Sequence, residues 1–499
     1  MSPKTEKTPE APFPRHQPPR RTAKRPEALL MIVLLFVALI AVAGLTAASD
    51  GAGLTFKQLA ALRSVGEVQL SPDGEFVAYS LVVPRLPGVD EDGPAYHELH
   101  VVSTADGTDR SFISEKIKVS GIRFSPDGRL ITYLAKRGED EHTALWGIPL
   151  SGGESRQLLS FETAITDYQV SPDGKQIAFV ALEPASDARE KAEEEGYSQE
   201  IFEEDWLPRK VWLATLPPYE PTQTDPSGEE VEEEGPKALA IDGSAFHVRW
   251  SPDGEWLAVD PAPSPLIDDR YMKRRVHIVG ASGGTVRATI PNPGKLGAFE
   301  FSPDGGSIAM ISAADPNDPA PGRLMVASVD DGELRDMLPG LEGHVSSFAW
   351  RGSEALVFIA DEGVETRLAE VDLASGRQTT HLVSGAELDG SRVPIMGGLS
   401  LSADGSHAAV AGDTPGHPRE VFVVDRGQPA VRRLTDSNPW LGNVDLAPQE
   451  TLRWQARDGL ELEGILIRPA DPGAGAPLPL ILMVHGGPEG HRRNGWLTS

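Results

Sequence analysis

This chain of 499 residues has no cysteine. That excludes disulfides, thiolate metal sites and cysteine nucleophiles, and it leaves the compartment open. Aromatic residues are scarce at 6 %, whereas Gly (51) and Pro (43) are plentiful, the balance of a turn-rich β protein. Positive charge is short as well: 46 Lys and Arg stand against 74 Asp and Glu, for a net charge of −28. The globular part shows no basic face, so a nucleic-acid partner is not expected. There is no P-loop, no GxGxxG after a strand and no EF-hand sequence, and no cofactor or metal is expected. Acidity of this size serves mainly solubility.

Much of the acid is local. Glu190, Glu193, Glu194 and Glu195, then Glu229, Glu230, Glu232, Glu233 and Glu234, mark residues 184–236 as an acidic, solvated insertion.

Long hydrophobic runs are missing except at the start. Residues 1–27 carry seven Lys/Arg against three Glu, with seven prolines, and read as a disordered basic tail. Residues 28–48 are apolar or small and uncharged, long enough to cross a hydrocarbon core. Basic residues before the span put the N-terminus in the cytoplasm and the bulk on the extracytoplasmic side, periplasmic or extracellular. A cleaved signal peptide is the rival, since Ala41-Val42-Ala43 and Thr46-Ala47-Ala48 offer small-residue cleavage sites. Arg20-Arg21 is a twin-arginine pair, but the apolar residues such a signal wants do not follow it.

The richest pattern is a tetrapeptide. Ser-Pro-Asp-Gly starts at Ser71, Ser125, Ser171, Ser251 and Ser302; a weaker copy lies at Ser402-Ala403-Asp404-Gly405 and a degenerate one at Arg351-Gly352-Ser353-Glu354. The steps from 71 are 54, 46, 80, 51, 49 and 51 residues, and the oversized one contains the acidic insertion. Ser can bond the backbone ahead of it, Pro fixes φ, Asp tolerates the third turn position and Gly ends the turn. Short apolar strands flank each copy, so each is a hairpin. A second turn follows in most units, as at Thr104-Ala105-Asp106-Gly107 and Asp330-Asp331-Gly332. Two hairpins per unit and seven units predict a seven-bladed β-propeller over residues 54–445. The Trp-Asp and Gly-His signatures of WD repeats are missing.

The chemistry is concentrated in residues 446–499. A hairpin is predicted around Arg457-Asp458-Gly459, then a loop, then the apolar run 478–484 (LPLILMV), which reads as a fully buried strand. That run feeds into His485-Gly486-Gly487-Pro488. In α/β-hydrolases an early strand ends in such a glycine-rich loop, and one of its backbone N–H groups faces the oxyanion of the tetrahedral intermediate.

A propeller of Ser-Pro-Asp-Gly blades, an Arg-Asp-Gly hairpin and a strand ending in His-Gly-Gly-Pro together resemble the prolyl oligopeptidase family of serine peptidases. The acylaminoacyl-peptidase and dipeptidyl-aminopeptidase-like branch is the nearest, and the resemblance covers residues 54–499. It implies a propeller capping an α/β-hydrolase domain and admitting short peptides. It implies that Gly487 donates to the oxyanion hole while His485, Gly486 and Pro488 shape the loop. It also suggests Glu203-Glu204 as a binder of a substrate's N-terminal amine, although a solvated surface pair suits that acidic stretch better.

The departures from the family pattern matter equally. Its Ser, Asp and His follow the oxyanion strand. Only eleven residues follow Pro488 here, where such a domain needs about 200 more. The hydrolase domain is therefore expected to be incomplete, and the chain inactive alone unless a second polypeptide completes it. Gly280-Ala281-Ser282-Gly283-Gly284 fits G-x-S-x-G, but strand-like segments lie on both sides of Ser282, and an elbow needs a helix after it. His97-Glu98-Leu99-His100 is not a zinc motif, because residues three apart in a strand point to opposite faces. The leading expectation is the propeller portion of a membrane-anchored serine peptidase for short peptides. The alternatives are a non-enzymatic TolB-like envelope propeller that binds protein partners, for which residues 452–488 would have no purpose, and a carboxylesterase of the same fold.

Overall fold

Among the described residues, seven four-stranded antiparallel sheets follow one another, each made from four consecutive strands. The computed structural model describes residues 53–199, 201–217, 235–317, 320–388, 390–428, 430–469, 477–487 and 490–497. The expected tail and membrane span lie outside them. Among the described residues no helix is long and apolar enough to cross a membrane.

Blade 1 comprises Ser64–Leu70, Phe76–Val83, Tyr96–Ser103 and Asp109–Ile113, and blade 7 comprises Ile395–Leu401, His407–Thr414, His417–Asp425 and Val431–Arg433. Among the described residues neither blade borrows a strand from the other end of the chain. The ring is closed by packing and by hydrogen bonds instead. The buried apolar residues form seven clusters, one at each blade-to-blade joint. At the joint of blades 7 and 1, Val65, Val77 and Tyr79 meet Ala409, Ala411, Val421 and Val423.

The repeated tetrapeptides are the first turns of their blades, and they hold more than a backbone bend. Ser125 Oγ donates to Asp127 Oδ1 at 2.6 Å and accepts from Leu130 N at 3.0 Å, while Arg129 N donates to the same aspartate oxygen at 3.1 Å. The pattern recurs at Ser71, Ser171, Ser251, Ser302 and Ser402. Asp is thus a fixed acceptor as well as a tolerated turn residue. The serine hydroxyl, followed by backbone N–H groups, holds the carboxyls of Asp127, Asp173, Asp304 and Asp404 below the ordinary range. Gly128 sits at φ +72° against Pro72 of the preceding blade, and Gly305 at +73° against Pro252. A side chain there would strain the backbone.

Seven positions after each serine lies a small residue. Ala78, Ala178, Ala258, Ala309 and Ala409 are all fully buried, which lets neighbouring sheets approach face to face. Blade 2 has Thr132 instead, and its hydroxyl accepts a hydrogen bond from Tyr168 of blade 3 at 2.8 Å.

Polar side chains on the inner strands tie one blade to the next. Glu67 of blade 1 accepts from Gly121 N and Ile122 N of blade 2. Asp167 of blade 3 accepts from Val248 N and Arg249 of blade 4 and from Arg123 of blade 2, and Arg249 continues to Glu300 of blade 5 at 2.7 Å. Burial opposes the charge on Asp167, but Arg249 and Arg123 outweigh it and its pKa is lowered. Around blades 6, 7 and 1 the links are neutral: Leu399 N donates to Ser347 Oγ, and Leu70 N to Ser400 Oγ.

The insertion expected over 184–236 is not one segment. The strand Arg209–Thr215, third in blade 3, divides it. The first part, 183–208, joins the second and third strands and carries the helix Asp187–Glu194. The second part starts and ends at the opposite end of the blade, because successive connections of an antiparallel sheet alternate ends. Glu229 to Glu234 of the second acidic run lie outside the described residues.

Candidate functional site

The alternation of connections gives the propeller two unlike ends. One carries the tetrapeptide turns. The other carries the connections between second and third strands, and the residues that follow the last blade pack there.

The predicted hairpin forms between Gln449–Gln455 and Glu461–Ile467, in register from Gln449↔Ile467 to Gln455↔Glu461. Asp458 Oδ1 accepts from Leu460 N, and Gly459 at φ +88° makes the turn. The hairpin is docked on blade 6, whose second and third strands are Ala355–Glu362 and Glu365–Asp372. Glu463 Oε2 accepts from Val364 N at 3.1 Å. Residues 490–497 fasten the same corner. Asn494 N donates to Val364 O at 2.7 Å, Asn494 Nδ2 reaches Glu365 and Thr451, and Gln449 Nε2 donates to Asn494 Oδ1. Trp496 N donates to Asp413 of blade 7 at 2.8 Å. Burial pushes Asp413 up despite that bond. Burial also works against charge on Asp361, but His491 and Arg493 prevail and lower its pKa. No local sequence signal marked this clasp, since its partners are 43 to 132 residues apart.

A cavity of about 380 Å³ lies between blade 6 and the hairpin, lined by Glu362, Glu365, Arg367, Thr451, Arg453 and Glu463, among others. Its charges are already engaged: Arg367 with Glu362, Arg453 with Glu463, and Glu365 with Ser384 and Asn494. Nothing in it is arranged as a nucleophile with its base. Among the described residues no serine hydroxyl bonds a histidine ring.

The apolar run 478–484 differs from its expected form. It makes no strand, and Leu480, Ile481, Leu482, Met483 and Val484 are 77–84 % exposed. A strand of this composition is buried by neighbours on both faces, and none of the described residues supplies them. Gly487 follows at φ +124°, a conformation that favours glycine, and its N–H bonds no described residue. Gly490 N donates to Gly486 O at 3.0 Å, closing a tight turn next to His485. Pro488 lies outside the described residues.

Glu203 and Glu204 sit in the connection of 183–208, at the same end of the propeller as the docked hairpin. Both are exposed and neither forms an ion pair with a described residue. Glu203 has φ +60°, the one non-glycine with positive φ among the described residues. Such a backbone costs about 1 kcal/mol and tends to mark functional loops. The loop also exposes Tyr197, Ile201, Phe202 and Trp206.

Ser282 occupies the turn between His277–Gly280 and Val286–Thr289, strands on both sides, at the tetrapeptide end. It is no nucleophile elbow. His97 and His100 have separate surroundings: His97 bridges in the backbone to Lys118, while His100 lies between Glu98 at 3.1 Å and Asp109 at 3.0 Å.

The described fold is similar to that of an acylaminoacyl peptidase solved with Z-Gly-Gly-Phe-chloromethyl ketone. The TM-score is 0.60 at 18 % identity, covering 88 % of this chain and 63 % of that one. A puromycin-hydrolyzing peptidase of Mycobacterium tuberculosis matches with a TM-score of 0.60 at 16 % identity, over 86 % of this chain and 63 % of that one. The shared fold is the β-propeller. In sequence, 92 residues are 32 % identical to the uncharacterized peptidase YuxL of Bacillus subtilis (strain 168), 18 % of this chain and 14 % of that protein. No protein-family model matches the chain. It spans under two thirds of the length of these solved relatives, and the resemblance to prolyl oligopeptidase-family enzymes is met in the propeller.

Proposed function

We propose that this chain is the propeller portion of a membrane-anchored serine peptidase acting on short peptides of aminoacyl, acylaminoacyl or dipeptidyl type. The observation that carries the reading is the fold itself, seven blades followed by a hairpin docked at one end, matching acylaminoacyl peptidase over 88 % of the chain. In this reading residues 28–48 anchor the protein and its bulk lies on the extracytoplasmic side. The free N–H of Gly487 is the oxyanion donor, and the unpaired Glu203-Glu204 dipeptide receives a substrate amine. Both carboxylates suit an ammonium, and a backbone N–H held by a positive-φ glycine suits an oxyanion. The catalytic Ser, Asp and His are supplied outside these 499 residues, because a nucleophile must be activated by a base to cleave an amide.

The test is activity with and without that complement. Residues 1–499 alone should not hydrolyse aminoacyl or acylaminoacyl anilides. The product of the whole locus, read through the sequence downstream of codon 499, should do so and take a fluorophosphonate label. Fluorophosphonate-sensitive turnover by 1–499 alone, or no label on the locus product, overturns the reading.

A further inference from the structure

Three guanidinium groups surround one phenylalanine at the joint of blades 3 and 4. Phe246, 7 % exposed, stands just before Val248–Trp250, the first strand of blade 4. The Cζ atoms of Arg209, Arg270 and Arg274 lie 5.7, 5.3 and 5.9 Å from its ring centroid. Arg209 opens the third strand of blade 3, and Arg270 lies on the helix Ile267–Met272 between the second and third strands of blade 4. The cluster therefore sits at the end of the propeller that carries Glu203-Glu204 and the docked hairpin.

Among the described residues only one of the three is neutralised. Arg274 Nη1 donates to the fully buried Asp260 at 2.7 Å. Asp260 is saturated, since it also takes Phe246 N, His247 N and His247 Nδ1. Asp269 is engaged by Lys273 and Ser264. Asp205 accepts from Ile201 N. The Arg209 and Arg270 guanidiniums have no carboxylate and no hydrogen-bond acceptor among the described residues. Burial, then the charge of Arg270, lowers the pKa of Arg209.

We propose that Arg209 and Arg270 form a binding site for the carboxylate of a short peptide. Two like charges held against one ring, in a chain of net charge −28, have no counter-charge among the described residues. The ring fixes both groups by cation–π attraction. A planar carboxylate matches guanidinium donors two at a time, which gives orientation as well as attraction. Inorganic oxyanions share part of this chemistry and are an arm of the test. The inference rests on the peptide-substrate reading above. It adds that the carboxyl end of the peptide is held at blades 3 and 4, across the ring from the hairpin on blade 6.

The test is arginine labelling by phenylglyoxal on the full chain, mapped by peptide mass spectrometry, with millimolar Ala-Ala-Phe, its C-terminal amide, or sulfate at matched ionic strength. Ala-Ala-Phe should slow labelling of Arg209 and Arg270 while leaving exposed Arg432 unchanged, and the amide should not. Equilibrium dialysis should show Ala-Ala-Phe bound about tenfold more weakly by Arg209→Gln and Arg270→Gln, the loss of one charge-assisted pair. Equal protection by acid and amide, or unchanged affinity in both variants, overturns this inference and leaves peptide binding standing. Protection by sulfate alone overturns the peptide source. Binding of neither peptide sinks the inference together with the reading it rests on.

Discussion

The backbone N–H of Ala403 in blade 7 donates to the carbonyl of Pro72 in blade 1 at 2.8 Å. Position 403 is the one place in the six well-formed tetrapeptides where proline is replaced. Proline has no N–H. The degenerate letter is therefore what lets the last turn bond the first, at the joint where no strand is exchanged.

Restoring the repeat should then weaken the protein. Ala403→Pro fits the turn geometry already used by five siblings, yet it removes the bond to Pro72. Urea unfolding should show a loss of about 1 kcal/mol. Ala403→Ser, which keeps the N–H, should be near neutral. A neutral or stabilising Ala403→Pro would show that the bond contributes nothing to closure.

Asn438 makes a further link across this joint. Its Oδ1 accepts from Arg63 N at 2.9 Å and its Nδ2 donates to Arg63 O at 2.7 Å. The side chain is buried at 3 % exposure. Asn438→Ala should cost about 2 kcal/mol by thermal or urea unfolding. Asn438→Asp should not rescue it, because a carboxylate facing the Arg63 carbonyl replaces attraction by repulsion. A variant as stable as the parent refutes the clasp.

Asp167 is the hub of the inner ion pairs. Asp167→Ala leaves Arg249 without one of its two carboxylates and Val248 N–H without its acceptor, so a loss of about 3 kcal/mol is expected. Asp167→Asn keeps an acceptor and should fall between. If both variants unfold within about 0.5 kcal/mol of the parent, the pairs only balance their own desolvation.

His100 makes blade 1 sensitive to pH. Burial opposes its protonation, but hydrogen bonds to Asp109 and Glu98 outweigh burial and raise its pKa. The sign follows from linkage: its contribution is full below the unfolded value of about 6.5 and is lost as pH rises through the higher native value. The gap in melting temperature between parent and His100→Gln should be widest in mild acid and shrink toward pH 9. A constant gap over that range would show that His100 acts by packing alone.

Turn chemistry was legible in the sequence because it is local. Ser, Pro, Asp and Gly at fixed offsets specify a bend whatever surrounds them, and their spacing places all seven blades. The hairpin at Arg457-Asp458-Gly459 was legible for the same reason. The ring-closing links were not. Glu67, Ser347, Ser400 and Asn438 act on backbones from other blades, and nothing nearby in sequence distinguishes them from surface polar residues. The run Val211-Trp212-Leu213 was itself legible as a strand, but acid on both sides of it hid that it divides residues 184–236. The run 478–484 shows the converse limit. Its composition states a preference for burial, but a buried strand is a property of its neighbours too. The glycine-rich loop after it was legible by motif, whereas Arg209 and Arg270, 61 residues apart, meet only because two blades bring them to Phe246.

Every sheet is wound from consecutive strands, and the two ends of the propeller meet at Arg63 and Asn438. The order in which the blades are written along the gene is therefore separable from the order in which they stand in space. A short linker from 438 to 63, with new termini opened between blades 3 and 4, would cut no sheet. Such a circular permutant should assemble the same ring, with its seam moved to the joint held by the Asp167–Arg249 pair.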